Sequence, residues 1–300
     1  MNSLLSICDI KDKVPEILKL AKDFKEGKIK GRVLEGKNLA MIFQKSSTRT
    51  RVSFEVGMNQ LGGNTLFLSN NEIQMGRGEP ISDTAKVLSR YVEGIMIRAV
   101  EHEDVLEFAK ESAVPVISGL TNLEHPCQAL ADMLTIQEHI GNFNGKFTYI
   151  GDGNNVCNSL LLICASLGMD IAVGCPKGYE PDTNIIKKAN KIAEKNNSYV
   201  IITDDVEVAV KNADVVYTDV WVSMGDEKEQ GKRRKSFKKY QVSGELMKLA
   251  KDNAIFMHCL PAIRGEEVSS EVIDGSQSVV IDQAENRLHA QKAILYHFLK

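Results

Sequence analysis

Nine short apolar runs alternate with stretches of helical period along this chain, and that alternation constrains the fold more than any other feature. The runs lie at 39–43, 94–98, 114–118, 147–151, 171–175, 199–203, 215–218, 254–258 and 279–282. Several are apolar at every position and rich in β-branched residues, the pattern of parallel strands covered on both faces. Between them the period lengthens. In 182–195, Ile185, Ile186, Ala189, Ile192 and Ala193 fall on one helical face. Repeated strand–helix units predict an α/β architecture built on doubly wound parallel sheets. A chain of 300 residues makes two domains of ordinary size or one large one. The boundary is expected where a helical pattern, 127–140, meets Gly141-Asn142-Phe143-Asn144-Gly145 and a new series begins at Lys146. The expected division is 1–140 and 141–282, with a last helix over 283–299 that could pack on either part.

Composition excludes several classes. With 43% hydrophobic and 26% charged residues the chain can build a core without disulfides or a structural metal. A net charge of −3 gives nothing global to attract nucleic acid or an anionic membrane. The six cysteines include no CxxC pair, so they suggest neither a zinc ribbon nor a disulfide framework and suit a reducing cytoplasm. Residues 1–13 lack the basic start and apolar run of a signal peptide, and no run is long enough to span a bilayer. The stretch 226–239 carries seven Lys and Arg residues and reads as a mobile, solvated loop.

The chemistry gathers at the ends of the predicted strands. Ser46-Ser47-Thr48-Arg49-Thr50-Arg51 joins run 39–43 to a helix-like run, 52–61. Free backbone N–H groups, a positive helix end, four hydroxyls and two guanidiniums would hold an anion such as a phosphate there without a metal. Gly151-Asp152-Gly153-Asn154-Asn155 opens like a dinucleotide fingerprint, which raises a nicotinamide-dependent dehydrogenase. Val156 then stands where the third glycine belongs, and the next strand ends at Val173-Gly174-Cys175-Pro176 without an acidic residue for a ribose. Asn154 and Asn155 could hold a carboxylate or an amide, or serve the turn alone. Further polar residues sit at Arg98, His125-Pro126-Cys127-Gln128, Asp219, Ser223-Met224-Gly225, His258-Cys259-Leu260-Pro261 and Arg287. Together they suit a zwitterionic or anionic small molecule, which favours an enzyme over a non-catalytic amino-acid-binding protein.

These segments resemble a known family. Ser47-Thr48-Arg49-Thr50-Arg51, Arg98 and His125-Pro126-Cys127-Gln128 resemble the carbamoyl phosphate site of the aspartate/ornithine carbamoyltransferases. Asp219-Val220-Trp221-Val222-Ser223-Met224-Gly225 and His258-Cys259-Leu260-Pro261 resemble the acceptor signatures of its ornithine branch; aspartate enzymes lack the Ser-Met-Gly loop and that cysteine. The resemblance runs from about Phe43 to Arg287. It implies a carbamoyl-phosphate domain, then an amino-acid domain, with the last helix (283–300) returning to the first. It implies a homotrimer or a multiple of trimers, with Gln74 reaching a neighbouring subunit's carbamoyl phosphate. The glycine-rich stretch Gly76-Arg77-Gly78-Glu79-Pro80 departs from the family pattern and leaves open which side chain there enters the site.

By the same resemblance, the reaction is transfer of a carbamoyl group from carbamoyl phosphate to the δ-amine of L-ornithine, giving L-citrulline, with no cofactor and no metal. Putrescine or N-acetylornithine as acceptor is the alternative. Carbamoyl phosphate would be held by Ser47, Thr48, Arg49, Thr50, Gln74, Arg98, His125, Pro126, Cys127, Gln128, Cys259, Leu260 and Arg287. Arg49, Thr50, Arg98 and His125 would face the carbonyl oxygen as its charge grows. Gln128 and the Leu260 carbonyl would hold the carbamoyl NH2. Asn155, Asp219, Ser223 and Met224 would read the α-groups of ornithine, while Asp219 and Cys259 orient its amine.

Overall fold

The computed structural model describes residues 3–222 and 229–300. The chain divides into two compact units, Met1–Leu134 with Glu285–Lys300, and Thr135–Ala284. The division falls inside the Pro126–His139 helix, a few residues before the Gly141–Gly145 turn.

The first unit is built on four parallel strands, β1 (Asn38–Phe43), β2 (Asn64–Ser69), β3 (Gly94–Arg98) and β4 (Val116–Leu120), in the order β2-β1-β3-β4. The middle of this sheet is apolar because it is covered: Leu39 to Phe43 and all of β3 are buried. An edge strand escaped the sequence pattern. β2 alternates exposed and half-buried positions, with Leu66 46% exposed, so it carries too little apolar signal to stand out between flanking asparagines. The amino-terminal segment adds to the opposite edge, where the Leu4 N–H donates to the Val116 carbonyl at 2.9 Å and the Ser118 N–H to the Leu4 carbonyl at 2.7 Å. The carboxy-terminal helix belongs here too. Tyr296 meets the Phe24 ring edge-on at 5.6 Å, and the Lys292 ammonium donates to Gln60 Oε1 at 3.0 Å.

The second unit holds five parallel strands, β5 (Lys146–Ile150), β6 (Asp170–Gly174), β7 (Val200–Thr203), β8 (Val215–Thr218) and β9 (Ile255–His258), in the order β7-β6-β5-β8-β9. Its Asn155–Leu167 helix is buried over ten consecutive residues, Val156 to Ala165. The Thr183–Lys195 helix buries only Ile185, Ala189 and Ala193, as its period predicts, and Asp182 caps it by accepting from the N–H groups of Asn184 and Ile185.

Two expectations are corrected here. The run at 279–282 is not a strand. Ser278 makes a single bridge to Phe256, the Val279 N–H donates to the Phe256 carbonyl, and the chain then enters the Val280–Leu299 helix. Ile281 is 71% exposed, so a sheet would have left it unsupported. Nor is the described part of 226–239 a solvated loop. Gln230–Phe237 is a helix whose Arg233 and Phe237 are buried. Phe237 packs edge-on to Tyr179 at 4.8 Å and stacks with Trp221 at 6.0 Å, a cluster assembled from distant segments that a charged sequence hides. Among the described residues, no helix is long and apolar enough to cross a membrane.

Each sheet has one point where the strand order reverses, between β1 and β3 in the first unit and between β5 and β8 in the second. Open α/β sheets leave a crevice at the carboxyl ends of such neighbours. Ser46–Arg51 follows β1 and Arg98 ends β3, while Gly151–Asn155 follows β5 and Asp219 follows β8.

Candidate active site

In the first unit, Ser47 is the N-cap of the Thr48–Gln60 helix. Its backbone is extended and its hydroxyl accepts from the Thr50 N–H at 3.3 Å while donating to Thr50 Oγ1 at 3.1 Å. Thr48 and Arg49 occupy the first turn, where N–H groups lack helical partners. Arg51 does not join them. Its guanidinium lies 3.7 Å over the Phe67 ring and pairs with Glu55 at 3.3 Å, so of the two guanidiniums in the six-residue cluster this one is engaged elsewhere.

Arg98 ends β3 at a register shift against β4 and is 6% exposed. His125 precedes the Pro126–His139 helix, and its carbonyl accepts from the N–H groups of Gln128 and Ala129. The Arg287 guanidinium donates to Gln128 Oε1 at 2.6 Å and to Thr50 Oγ1 at 3.3 Å. The Gln128 amide nitrogen donates in turn to Asp132 Oδ1 at 2.8 Å. Thus the buried string Thr50–Arg287–Gln128–Asp132 joins the two helix starts to the carboxy-terminal helix. Asp132, fully buried, was not anticipated; an aspartate one turn after Gln128 is the only sequence signal for it.

Burial, with the nearby charges of Arg287 and then Arg98, holds the His125 pKa well below the usual histidine range. The imidazole is therefore neutral at pH 7. Burial pushes the Cys127 thiol up to about 12, and it donates to the Ser118 carbonyl at 3.3 Å. Cys127 is thus a packed thiol and no nucleophile. Gln74 begins a 3-10 turn, Gln74–Arg77, and is exposed.

In the second unit, the β5 strand ends at Gly151, whose φ of 139° suits glycine alone. Asn154 caps the Asn155–Leu167 helix, its Oδ1 accepting from the N–H groups of Val156 and Cys157. Its amide nitrogen donates to Asp219 Oδ2 at 2.8 Å. Asp219 follows β8, and its Oδ1 accepts from the Cys259 thiol at 3.0 Å and the Val220 N–H at 2.8 Å. So Asn154 is committed to the cap and to Asp219, while its half-buried neighbour Asn155 is the first residue of the same helix. Ser223 and Met224 lie outside the described residues.

The turn after β9 is unusual. Leu260 has φ of 57° and precedes a cis bond to Pro261. His258 and Glu267, both fully buried, lie 3.1 Å apart. Asp152 and Arg233 form a second buried pair at 2.7 Å, and the same Arg233 nitrogen donates to the Trp221 carbonyl at 3.1 Å. Neither Glu267 nor Arg233 carries a local sequence signal, since each sits in a charged run. Asp219, His258 and Cys259 each offer a ligand atom within 4.8 Å of the others, the one such trio among the described residues. A divalent ion could use it only by displacing the thiol proton from Asp219 and a backbone N–H from His258.

Residues 2–138 match the family model of the aspartate/ornithine carbamoyltransferase carbamoyl-P binding domain, and residues 144–298 match that of the Asp/Orn binding domain. The chain is 70% identical, over 100% of both chains, to a protein of Methanobrevibacter smithii named ornithine carbamoyltransferase. It is 63% identical, over 99% of this chain and 98% of the other, to the protein of that name in Methanothermobacter thermautotrophicus. Among solved structures, ornithine carbamoyltransferase from Pyrococcus furiosus is similar with a TM-score of 0.96, at 53% identity over 99% of this chain and 97% of that one. The anabolic enzyme from Campylobacter jejuni gives 0.95, at 41% identity over 99% of each.

Proposed function

We propose that this chain, which belongs to the aspartate/ornithine carbamoyltransferase family, transfers the carbamoyl group of carbamoyl phosphate to the δ-amine of L-ornithine, giving L-citrulline and phosphate. The observation that supports the reading is the buried string Thr50–Arg287–Gln128, in which residues of three separate motif segments are hydrogen-bonded together. The first unit serves carbamoyl phosphate and the second serves the amino acid.

The phosphate dianion is met by the Thr48–Gln60 helix start with Ser47, Thr48, Arg49, Thr50 and Arg98. As the amine adds, charge grows on the carbonyl oxygen. Arg49, Thr50, Arg98 and the neutral imidazole of His125 donate to it. A neutral His125 suits this role, because it adds a donor without a third positive charge beside Arg98 and Arg287. Gln128, the Leu260 carbonyl and Cys259 hold the carbamoyl group; Pro126 and Cys127 shape the helix start behind it. Asn155, Asp219, Ser223 and Met224 read the α-amino and α-carboxylate groups. Asp219 and Cys259 orient the attacking nitrogen. That nitrogen must be neutral. An amine of pKa about 10.4 is free in roughly one molecule in 2,500 at pH 7, a cost of about 4.6 kcal/mol. Direct attack needs no carbamoyl-enzyme, so Cys259 acts as a hydrogen-bonding group. The enzyme works in the cytoplasm as a homotrimer or a multiple of trimers, with Gln74 offered to a neighbouring subunit's site.

The test is a ureido assay with carbamoyl phosphate and, in turn, ornithine, putrescine, N-acetylornithine, lysine and aspartate. Citrulline from ornithine is expected. No ureido product with ornithine would overturn the reading, and product from putrescine alone would reassign the acceptor.

A further inference from the structure

Leu260 holds a left-handed backbone, φ 57°, a conformation that a bulky side chain keeps only where its surroundings impose it. The imposing groups are visible. The Leu260 N–H donates to His258 Nδ1 at 2.8 Å, so that nitrogen carries no proton and the imidazole proton sits on Nε2. Nε2–H then faces Glu267 Oε1 at 3.1 Å. The same oxygen accepts from the Ile263 N–H at 2.6 Å, so one carboxylate oxygen ties both ends of the 260–263 turn. His258 is fixed from behind as well, its own N–H donating to Gln283 Oε1 at 2.9 Å. Both side chains are fully buried, so neither meets a substrate. Next to His258 and at the start of this tied turn stand the groups that the proposed function gives to the substrate: the Cys259 thiol, aimed at Asp219 Oδ1, and the Leu260 carbonyl.

We propose that Glu267, acting through His258, is a positioning residue that sets the Cys259–Leu260 turn for catalysis. The proposal rests on the carbamoyltransferase reading of that turn. With the carboxylate removed, His258 loses the partner that fixes its tautomer and ring angle, Ile263 loses its acceptor, and Leu260 is free to leave the left-handed region. Catalytic groups displaced by about 1 Å cost roughly 100-fold in rate.

The experiment compares Glu267→Leu, His258→Phe and Glu267→Gln in a Cys8→Ser background, which leaves Cys259 as the one thiol that is not buried. Folding is checked by the emission of Trp221, the single tryptophan, which is 5% exposed. In the Leu and Phe variants kcat should fall about 100-fold, the KM for carbamoyl phosphate should rise, and alkylation of Cys259 in the ligand-free protein should change at least threefold. The Gln variant keeps an oxygen at the Oε1 position and should stay within about fivefold in kcat, a rescue by shape without charge. The proposal is overturned if a folded Leu or Phe variant keeps kcat and Cys259 alkylation within twofold of the parent. It is also overturned if both fail to fold, which would make the pair a support of the fold alone. A parent that makes no citrulline would sink the functional reading instead, while alkylation still reports on the turn.

Discussion

Removing the Arg233 guanidinium should destabilise the second unit severely, and removing its partner as well should restore much of the loss. Arg233 and Asp152 lie 2.7 Å apart, with side chains only 10% and 9% exposed. Truncating one member of such a pair leaves a buried charge without compensation, which costs about 3–5 kcal/mol. Arg233→Met keeps an apolar stem but takes the guanidinium from over the Tyr179 ring, from Asp152 and from the Trp221 carbonyl. For a unit of this size, about 1 kcal/mol moves Tm by roughly 2–4 °C, so the single variant should melt about 6–20 °C lower. Asp152→Asn should cost less, because the amide oxygen still accepts from Arg233. The double variant should recover at least about 1 kcal/mol relative to the sum of the singles. Trp221 lies in the same unit and reports its denaturation directly. Additive losses, or an Arg233→Met variant within about 1 kcal/mol of the parent, would refute the claim that this pair is a coupled, buried unit.

Three further outcomes follow from the site. Arg49→Ala should lower kcat/KM at least about 100-fold in the ureido assay while circular dichroism stays unchanged, since it removes a donor to both phosphate and carbonyl oxygen. The rate at low ornithine should climb close to tenfold per pH unit from 6.5 towards 9 as the neutral amine accumulates; a flat profile with chemistry rate-limiting would contradict direct attack. His125 titrates below its unfolded value near 6.5, so below that pH the unfolded chain binds the extra proton and stability is lost as pH falls. The loss approaches about 1.4 kcal/mol per pH unit until the folded pKa is reached, and His125→Gln should lack that increment in urea titrations compared between pH 6.5 and 5.

How far the sequence discloses this molecule depends on whether the signal is local. β3 and β8 are legible because burial on both faces makes their residues largely apolar up to the last position, where Arg98 and Thr218 stand. β2 is not, because an edge strand mixes exposed and covered positions. Val279 and its neighbours look like a strand since they do touch β9, but at one bridge only. The same contrast holds in the site. Ser47, Arg98 and His125 announce themselves at element ends. Asp132, Arg233 and Glu267 carry no motif of their own and act by contacts with the motif residues Gln128, Asp152 and His258, and Arg51 shows the converse: it sits inside a motif while an aromatic ring it could not advertise draws it away.

The first unit contains residues from both ends of the chain, while the second is one uninterrupted stretch, Thr135–Ala284. During synthesis on the ribosome the usual order is therefore inverted. Domains commonly fold as they emerge, amino-terminal first. Here the second unit has its full set of residues while the first still lacks Glu285–Lys300, including the Arg287 that ties Gln128 to Thr50 and the Tyr296 that packs on Phe24. The Thr50–Arg287–Gln128 string can be finished only after Arg287 is released, so a premature stop just before Arg287 would spare the unit made later and cripple the one made first.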